Sequence, residues 1–363
     1  MSILELFQKP VRCVAVMAAA AVATAAPSIS ASAMDAPRDF GGESIVIQVY
    51  GGSIARFFSD KVIPAFEKKY NAKVTMVEGL TSDIVAKIRV AKGNNPPVDT
   101  FMLAETGAVA VATDNLTEPL TVKAVPNLEH LIPSARRPGD PFVAIGVASM
   151  AIAYNNKLLQ PKDLPKTWAD LANPIYKGKL LLPYSGSLFA SMLIAQLAIS
   201  TGGSIDNIDS ALKEIEKFQP NVLTYWTSYD QTFNLLNSGE ALLAVTATDR
   251  TIFQIKSGAP IGVVYPADGV ALIANGIGVA KGTAHKALAE TYINYVLSAD
   301  VNQLIADNTG FIPSNKDAVL DPKLAALLPS AGVMEKSAAP DWQKVSKYMP
   351  GWMERYTKEV VNK

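Results

Sequence analysis

Short apolar runs alternate with segments of helical period along most of this chain. The run SIVIQVY (residues 44–50) has the length and β-branched content of a buried strand. Ile54, Phe57, Phe58, Ile63, Phe66 and Tyr70 then recur at helical spacing, with Pro64 expected to divide that helix in two. AKVTMVEG (residues 72–79) reads as a second strand. Thr81-Ser82-Asp83 offers a helix N-cap, Ile84, Val85, Ile88 and Ala91 line one face, and Gly93 is the stop. DTFML (residues 99–103) is a third strand. This β-α-β-α-β order with short connections predicts an α/β fold on a parallel sheet covered on both faces.

Two later runs are too long for ordinary strands. FVAIGVASMAIAY (residues 142–154) reads as two strands meeting near Gly146-Val147, and VALIANGIGVAKG (residues 270–282) as a return crossing. Between them lies a second alternating unit. It comprises KLLLP, a helix over residues 188–200, a helix over 205–218, NVLTYW, a helix over 229–236, EALLAVT and a helix ending near Gly258. Two crossings mean two lobes built from separated segments. The expected division is residues 41–146 plus 276–314 for lobe 1 and residues 147–275 plus 315–363 for lobe 2. Two extended connections permit bending about a cleft while neither lobe unpacks. The tail from Asp321 is helical in character, its Trp342, Tyr348, Trp352 and Tyr356 reading as packing anchors.

Composition narrows the function. With 363 residues the chain exceeds one ordinary core, and 33 basic against 33 acidic residues give no electrostatic footprint for nucleic acid. At the N-terminus Lys9 and Arg12 precede VAVMAAAAVATAA, and Ala31-Ser32-Ala33 supplies an A-x-A site. That is the pattern of a secretory leader (residues 1–33) cleaved near Ala33, too short in its apolar part to span a bilayer. Export to a periplasm with no stable membrane insertion is the expectation. Cys13, the single cysteine, falls in the leader, which leaves the mature chain without a disulfide, thiol nucleophile or thiolate metal site.

Signs of chemistry are sparse. Gly51-Gly52-Ser53 closes the first strand without the remaining glycines of a dinucleotide fingerprint, and no P-loop or G-x-S-x-G occurs. Such a turn either holds an anion or hydroxyl at a helix start or is simply tight. His130 and His285 are far apart, so neither a zinc site nor a Ser-His-Asp set is expected. No cofactor, metal or catalytic residue is assigned.

Taken together, IPAFEKKYNAKVTMVEG, SDIVAKI, PKTWADLANPIYKGKLLLP, NSGEALLAV and FIPSN resemble the extracellular solute-binding proteins of ABC importers. The similarity points to the branch with spermidine/putrescine, ferric-ion, thiamine and phosphonate receptors. The resemblance implies the two-lobed periplasmic binding protein fold of type II, with two mixed sheets flanked by helices and joined by two crossover strands. It also implies a monomer that closes on a small solute and presents it to permease subunits, with no catalytic role. Polyamine receptors carry Trp-x-Asp in the return crossover. The matching stretch here is Ile273-Ala274-Asn275, which has no charge to answer a buried ammonium.

On that footing the expected ligand residues are Gly52, Ser53 and Ser82 from lobe 1, Ser185, Gly186, Ser187, Trp226, Thr246, Asp249 and Arg250 from lobe 2, and Asn275 from the crossover. Helix N-termini, hydroxyls and an arginine favour a carboxylate or phosphonate, with Asp249 free to pair an amine in a zwitterion. Ser82 and Ser187 read equally as plain caps, Arg250 as solvated, and Trp226 as core. A rival reading is a polyamine receptor using Asp249 and Glu105 in place of the missing pair. A second is an enzyme on the same two-lobe fold.

Overall fold

The computed structural model describes residues 38–362, and the leader expected over residues 1–33 lies outside them. Strand β1 (Ser44–Val49) passes through Gly51 and Gly52 into α1 (Ser53–Phe57), a π-helical turn (Phe58–Val62) and α2 (Ile63–Tyr70). Pro64 has no N–H to offer the preceding turn, and the helix answers with a widened turn instead of a break. Next come β2 (Lys73–Glu78), α3 (Thr81–Ala91), β3 (Thr100–Ala104) and α4 (Glu105–Thr113). Strands β2, β1 and β3 are parallel neighbours in that order. Ile84, Val85 and Ile88 of α3 pack with Phe101 and Leu103 on one face of this sheet, while Phe66 of α2 joins Ile45 and Ile47 on the other.

After a two-residue strand, β4 (Thr117–Glu118), comes β5 (Val143–Asn155). The expectation of two strands meeting near Gly146-Val147 is corrected here, because β5 is one continuous strand of 13 residues. It stays unbroken by changing neighbours. The second sheet comprises β6 (Leu180–Pro183), β7 (Val222–Trp226), β8 (Leu243–Ala247) and β9 (Ile261–Val264), and β10 (Leu272–Ala280) carries the chain back to the first. Residues 143–149 of β5 pair antiparallel with β10, residues 150–154 with β8 and residues 152–155 with β9. In the second sheet β6 lies parallel between β7 and β8. The two mixed sheets therefore share β5.

Helix α5 (Leu188–Ser200) is apolar all round and is buried from Ala190 to Ala198, as such a helix must be. α6 (Asp209–Phe218) begins four residues later than the periodicity suggests, because Asn207 accepts the Asp209 N–H in a preceding turn. α7 (Tyr229–Ser238) and α8 (Thr248–Lys256) follow β7 and β8. The first sheet gains α9 (Lys286–Val296), α10 (Ala299–Thr309) and the short β11 (Ile312–Pro313), which pairs with β5 at Gly146 and Val147. A Cβ at Gly146 would stand 2.9 Å from that of Phe311, so only glycine admits this third strand. The tail forms α11 (Pro322–Ala325), α12 (Ala331–Met334) and α13 (Trp342–Tyr356). Trp342, Trp352 and Tyr356 are buried, and α13 touches α5 of the second sheet and α4 of the first.

Candidate functional site

Asn275 pairs with Ala104, the last residue of β3, and with Gly146 of β5, while Met150 pairs with Ala247, the last residue of β8. Parallel strands of both sheets thus end toward each other, separated along β5 by residues 146–150, roughly 13 Å of extended chain. Ligands of open α/β sheets sit beyond such carboxyl ends, so the loops there are the candidate rims of a binding cleft.

The first rim is made of glycines and carboxylates. Gly52 has φ +75° and its N–H donates to Glu78 Oε2 at 3.3 Å. A Cβ at Gly51 would lie 2.8 Å from the same oxygen, while the positive φ of Gly52 is what requires glycine in the turn. Glu78 ends β2 beside Val49 in the ladder and remains exposed. Thr81 Oγ1 accepts the Ala104 N–H at 3.2 Å and fastens one rim loop to the next.

The second rim is aromatic and more buried. The Trp226 and Tyr229 rings stack at 5.7 Å, and Phe189 packs on both. Asp249 and Arg250 occupy the first turn of α8. Arg250 Nε lies 3.5 Å from Asp249 Oδ2, and its guanidinium sits 5.5 Å from the Tyr229 ring centre. Burial holds the Asp249 carboxyl above the ordinary range, with Arg250 pulling the other way. Burial likewise raises the Tyr229 hydroxyl. Thr248 hydrogen-bonds the Ser149 side chain (2.9 Å) and carbonyl (3.0 Å), pinning the start of α8 to the crossover.

Several expected site residues have other duties. Trp226 is buried and donates its indole N–H to the Val245 carbonyl at 2.9 Å, so it packs as core. Thr246 is fully buried inside β8. Ser187 is the cap of α5, accepting the Phe189 N–H at 3.1 Å. Ser82 caps nothing: Leu80 holds the N-cap position of α3, and the exposed Ser82 hydroxyl donates to Asp83. Ser185 and Gly186 line a shallow depression with Met353, Glu354, Thr357 and Lys358. Gly52, Asp249 and Arg250 lie at strand-end turns, Ser53 opens α1, and Asn275 is half-buried where the two crossovers pair. Glu105, invoked for a polyamine, is instead buried against Arg137 and the crossover backbone. Glu78 and Tyr229 stand outside the expected ligand set, although the sequence puts Glu78 near a strand end and offers Tyr229 as a conceivable ligand. The parallel pairing of β1 with β2 was the available signal for Glu78, since it sets the end of one strand beside the turn of the other.

The chain is 30% identical over 200 residues to the spermidine/putrescine-binding periplasmic protein of Escherichia coli, a match covering 53% of this chain and 56% of that protein. The chain thus spans about half the length of the polyamine-binding relatives it matches. Iron uptake protein A1 of Synechocystis is 24% identical over 290 residues, covering 76% of this chain and 77% of the relative. Among solved structures, an ABC transporter protein from Clostridium perfringens superposes with a TM-score of 0.76 at 23% identity, covering 87% of this chain and 99% of that one. That likeness establishes the periplasmic binding protein fold. The bacterial extracellular solute-binding protein family matches residues 61–329, and the chain belongs to that family.

Proposed function

We propose that this chain is the periplasmic solute-binding component of an ABC importer and that its solute is small and amphoteric, bearing both an ammonium and a carboxylate or phosphonate. The halves that close are residues 41–146 plus 276–314 and residues 147–275 plus 315–363, hinged on β5 and β10. The protein acts as a monomer, delivers its solute to permease subunits and performs no chemistry on it.

The observation that carries this reading is the adjacent Asp249 and Arg250 at the start of α8, opposite a rim already occupied by Glu78. A purely anionic solute would meet the Glu78 carboxylate at the Gly51-Gly52 turn. A purely cationic one would leave the half-exposed Arg250 guanidinium facing it. A molecule with both charges answers each rim. A polyamine is the second reading, favoured by carboxylates on both rims and by the similarity to a spermidine/putrescine-binding protein. Glu105 offers it no help, being engaged by Arg137.

A thermal-shift panel of amino acids, opine-like conjugates, aminophosphonates, putrescine, spermidine and ferric citrate tests the proposal. A ligand at a hundred times its dissociation constant adds about 2.7 kcal/mol, enough to move the melting point by several degrees. Stabilisation by amphoteric compounds supports the reading, and stabilisation by polyamines alone replaces it with the second.

A further inference from the structure

Glu105 is the first residue of α4, directly after β3, and its side chain is fully buried. Its two oxygens reach different parts of the hinge. Oε2 accepts the backbone N–H of Ala274 at 2.5 Å, and Oε1 accepts Arg137 Nε at 2.6 Å, with Arg137 Nη2 on the same oxygen. Ala274 belongs to the return crossover β10, one residue before the β3–β10 ladder begins at Asn275 and the β5–β10 register shifts between Asn275 and Gly276. Arg137 belongs to the loop that feeds the outgoing crossover β5, and the carbonyls of Ser134 and Arg136 hold its guanidinium at 2.9 and 2.7 Å. One carboxylate therefore ties the return crossover to the loop that leads into the outgoing one.

We propose that Glu105 is a positioning residue of the hinge: by tying Ala274 of the return crossover to Arg137 ahead of the outgoing one, it sets the resting angle between the lobes. From Ala274 back to Leu272 the crossover is paired with β5 and has no ladder to β3, so this charged hydrogen bond is the last one that the β3–α4 junction makes to it. A tight core would resist movement there, yet a cavity of about 1270 Å³ adjoins the pair, lined among others by Glu105, Arg137, Phe142, Leu272 and Trp342. The space beside Glu105, Arg137 and Leu272 leaves room for these side chains to rearrange once the contact is lost. The inference rests on the two-lobed hinge reading above. It is tested without solute, so its failure is separate from any failure of the solute assignment.

The test is a spin-label distance measurement between Lys87→Cys on α3 and Lys213→Cys on α6, both exposed, in the full chain carrying Cys13→Ser. Glu105→Ala removes both contacts, while Glu105→Gln keeps an acceptor for the Ala274 N–H and loses the charge facing Arg137. The expected result is a mean inter-label distance displaced by about 2 Å or more in Glu105→Ala, the scale of hinge rearrangements, with Glu105→Gln intermediate. Ile215→Ala, in the buried core of the second lobe, serves as a control that loses stability and leaves the distance unchanged. A Glu105→Ala distribution that overlays the parent's, in protein with native circular dichroism, overturns the proposal. Should that variant fail to fold, Glu105→Gln carries the test: a displaced distance supports the proposal and an unchanged one overturns it.

Discussion

The two rims of the cleft are built from opposite materials. The first is backbone and carboxylate: Gly51, Gly52, Glu78 and the threonine-tied turn at Thr81, with Glu78 left exposed. The second is an aromatic stack of Phe189, Trp226 and Tyr229, with Asp249 and Arg250 set against it. Rigid rings cost little entropy to hold in place, so the second rim presents its charges in one geometry before any solute arrives. Glycine turns offer no such support, and the first rim is tied by hydrogen bonds, from the Gly52 N–H to Glu78 and from the Ala104 N–H to Thr81.

The largest way to break that contrast is to remove the stack. Trp226→Ala should cost about 3–5 kcal/mol of stability, read as a lower urea midpoint, because a buried ring and its bond to Val245 are lost together. A loss below about 1 kcal/mol would mean that the ring is not core. Arg250→Ala should leave the fold intact and weaken binding of the solute identified by the panel by about 1.5–3 kcal/mol, measured by calorimetry. Unchanged affinity would remove Arg250 from the rim.

Asp249→Asn sharpens the comparison through pH. Burial raises the Asp249 carboxyl in the folded state, so the neutral form is the favoured one there. Its contribution to stability is complete below the unfolded value of about 3.9 and is lost as pH rises through the higher folded value. Melting temperatures of variant and parent, compared from about pH 4 to pH 7, should diverge in favour of the variant. A gap that stays flat would show that the carboxyl is not held up by burial. The smallest effects belong to the serines. Ser187→Ala should cost about 1 kcal/mol as a lost cap, and Ser82→Ala within about 0.5 kcal/mol. Equal costs at the two positions, by chemical denaturation, would contradict the capping difference.

Much of the fold was legible because burial writes periodicity. SIVIQVY, DTFML and KLLLP all hold strands, and the largely apolar α5 lies where its composition demands. The rims were less legible. Ser82 and Ser187 look alike in sequence, each ahead of an apolar helix, yet only Ser187 has the extended backbone from which a side chain can reach back to a free N–H. Trp226 ends a strand and Arg250 lies just beyond one, and only the folded structure shows that the Val245 carbonyl lies within reach of the indole and makes Trp226 core.

Alternation of apolar runs and the two long crossings determined, from the sequence alone, an α/β chain whose sheets are joined by crossover strands. Those features arise from local periodicity and composition, which need no knowledge of distant contacts. Tertiary structure alone decided that β5 is one strand, that Glu78 meets Gly52 across 26 positions, and that Glu105 reaches Ala274 across 169. Pairings at such separations are set by sheet register and by the direction of each side chain from its strand end, and neither leaves a periodic trace along the chain.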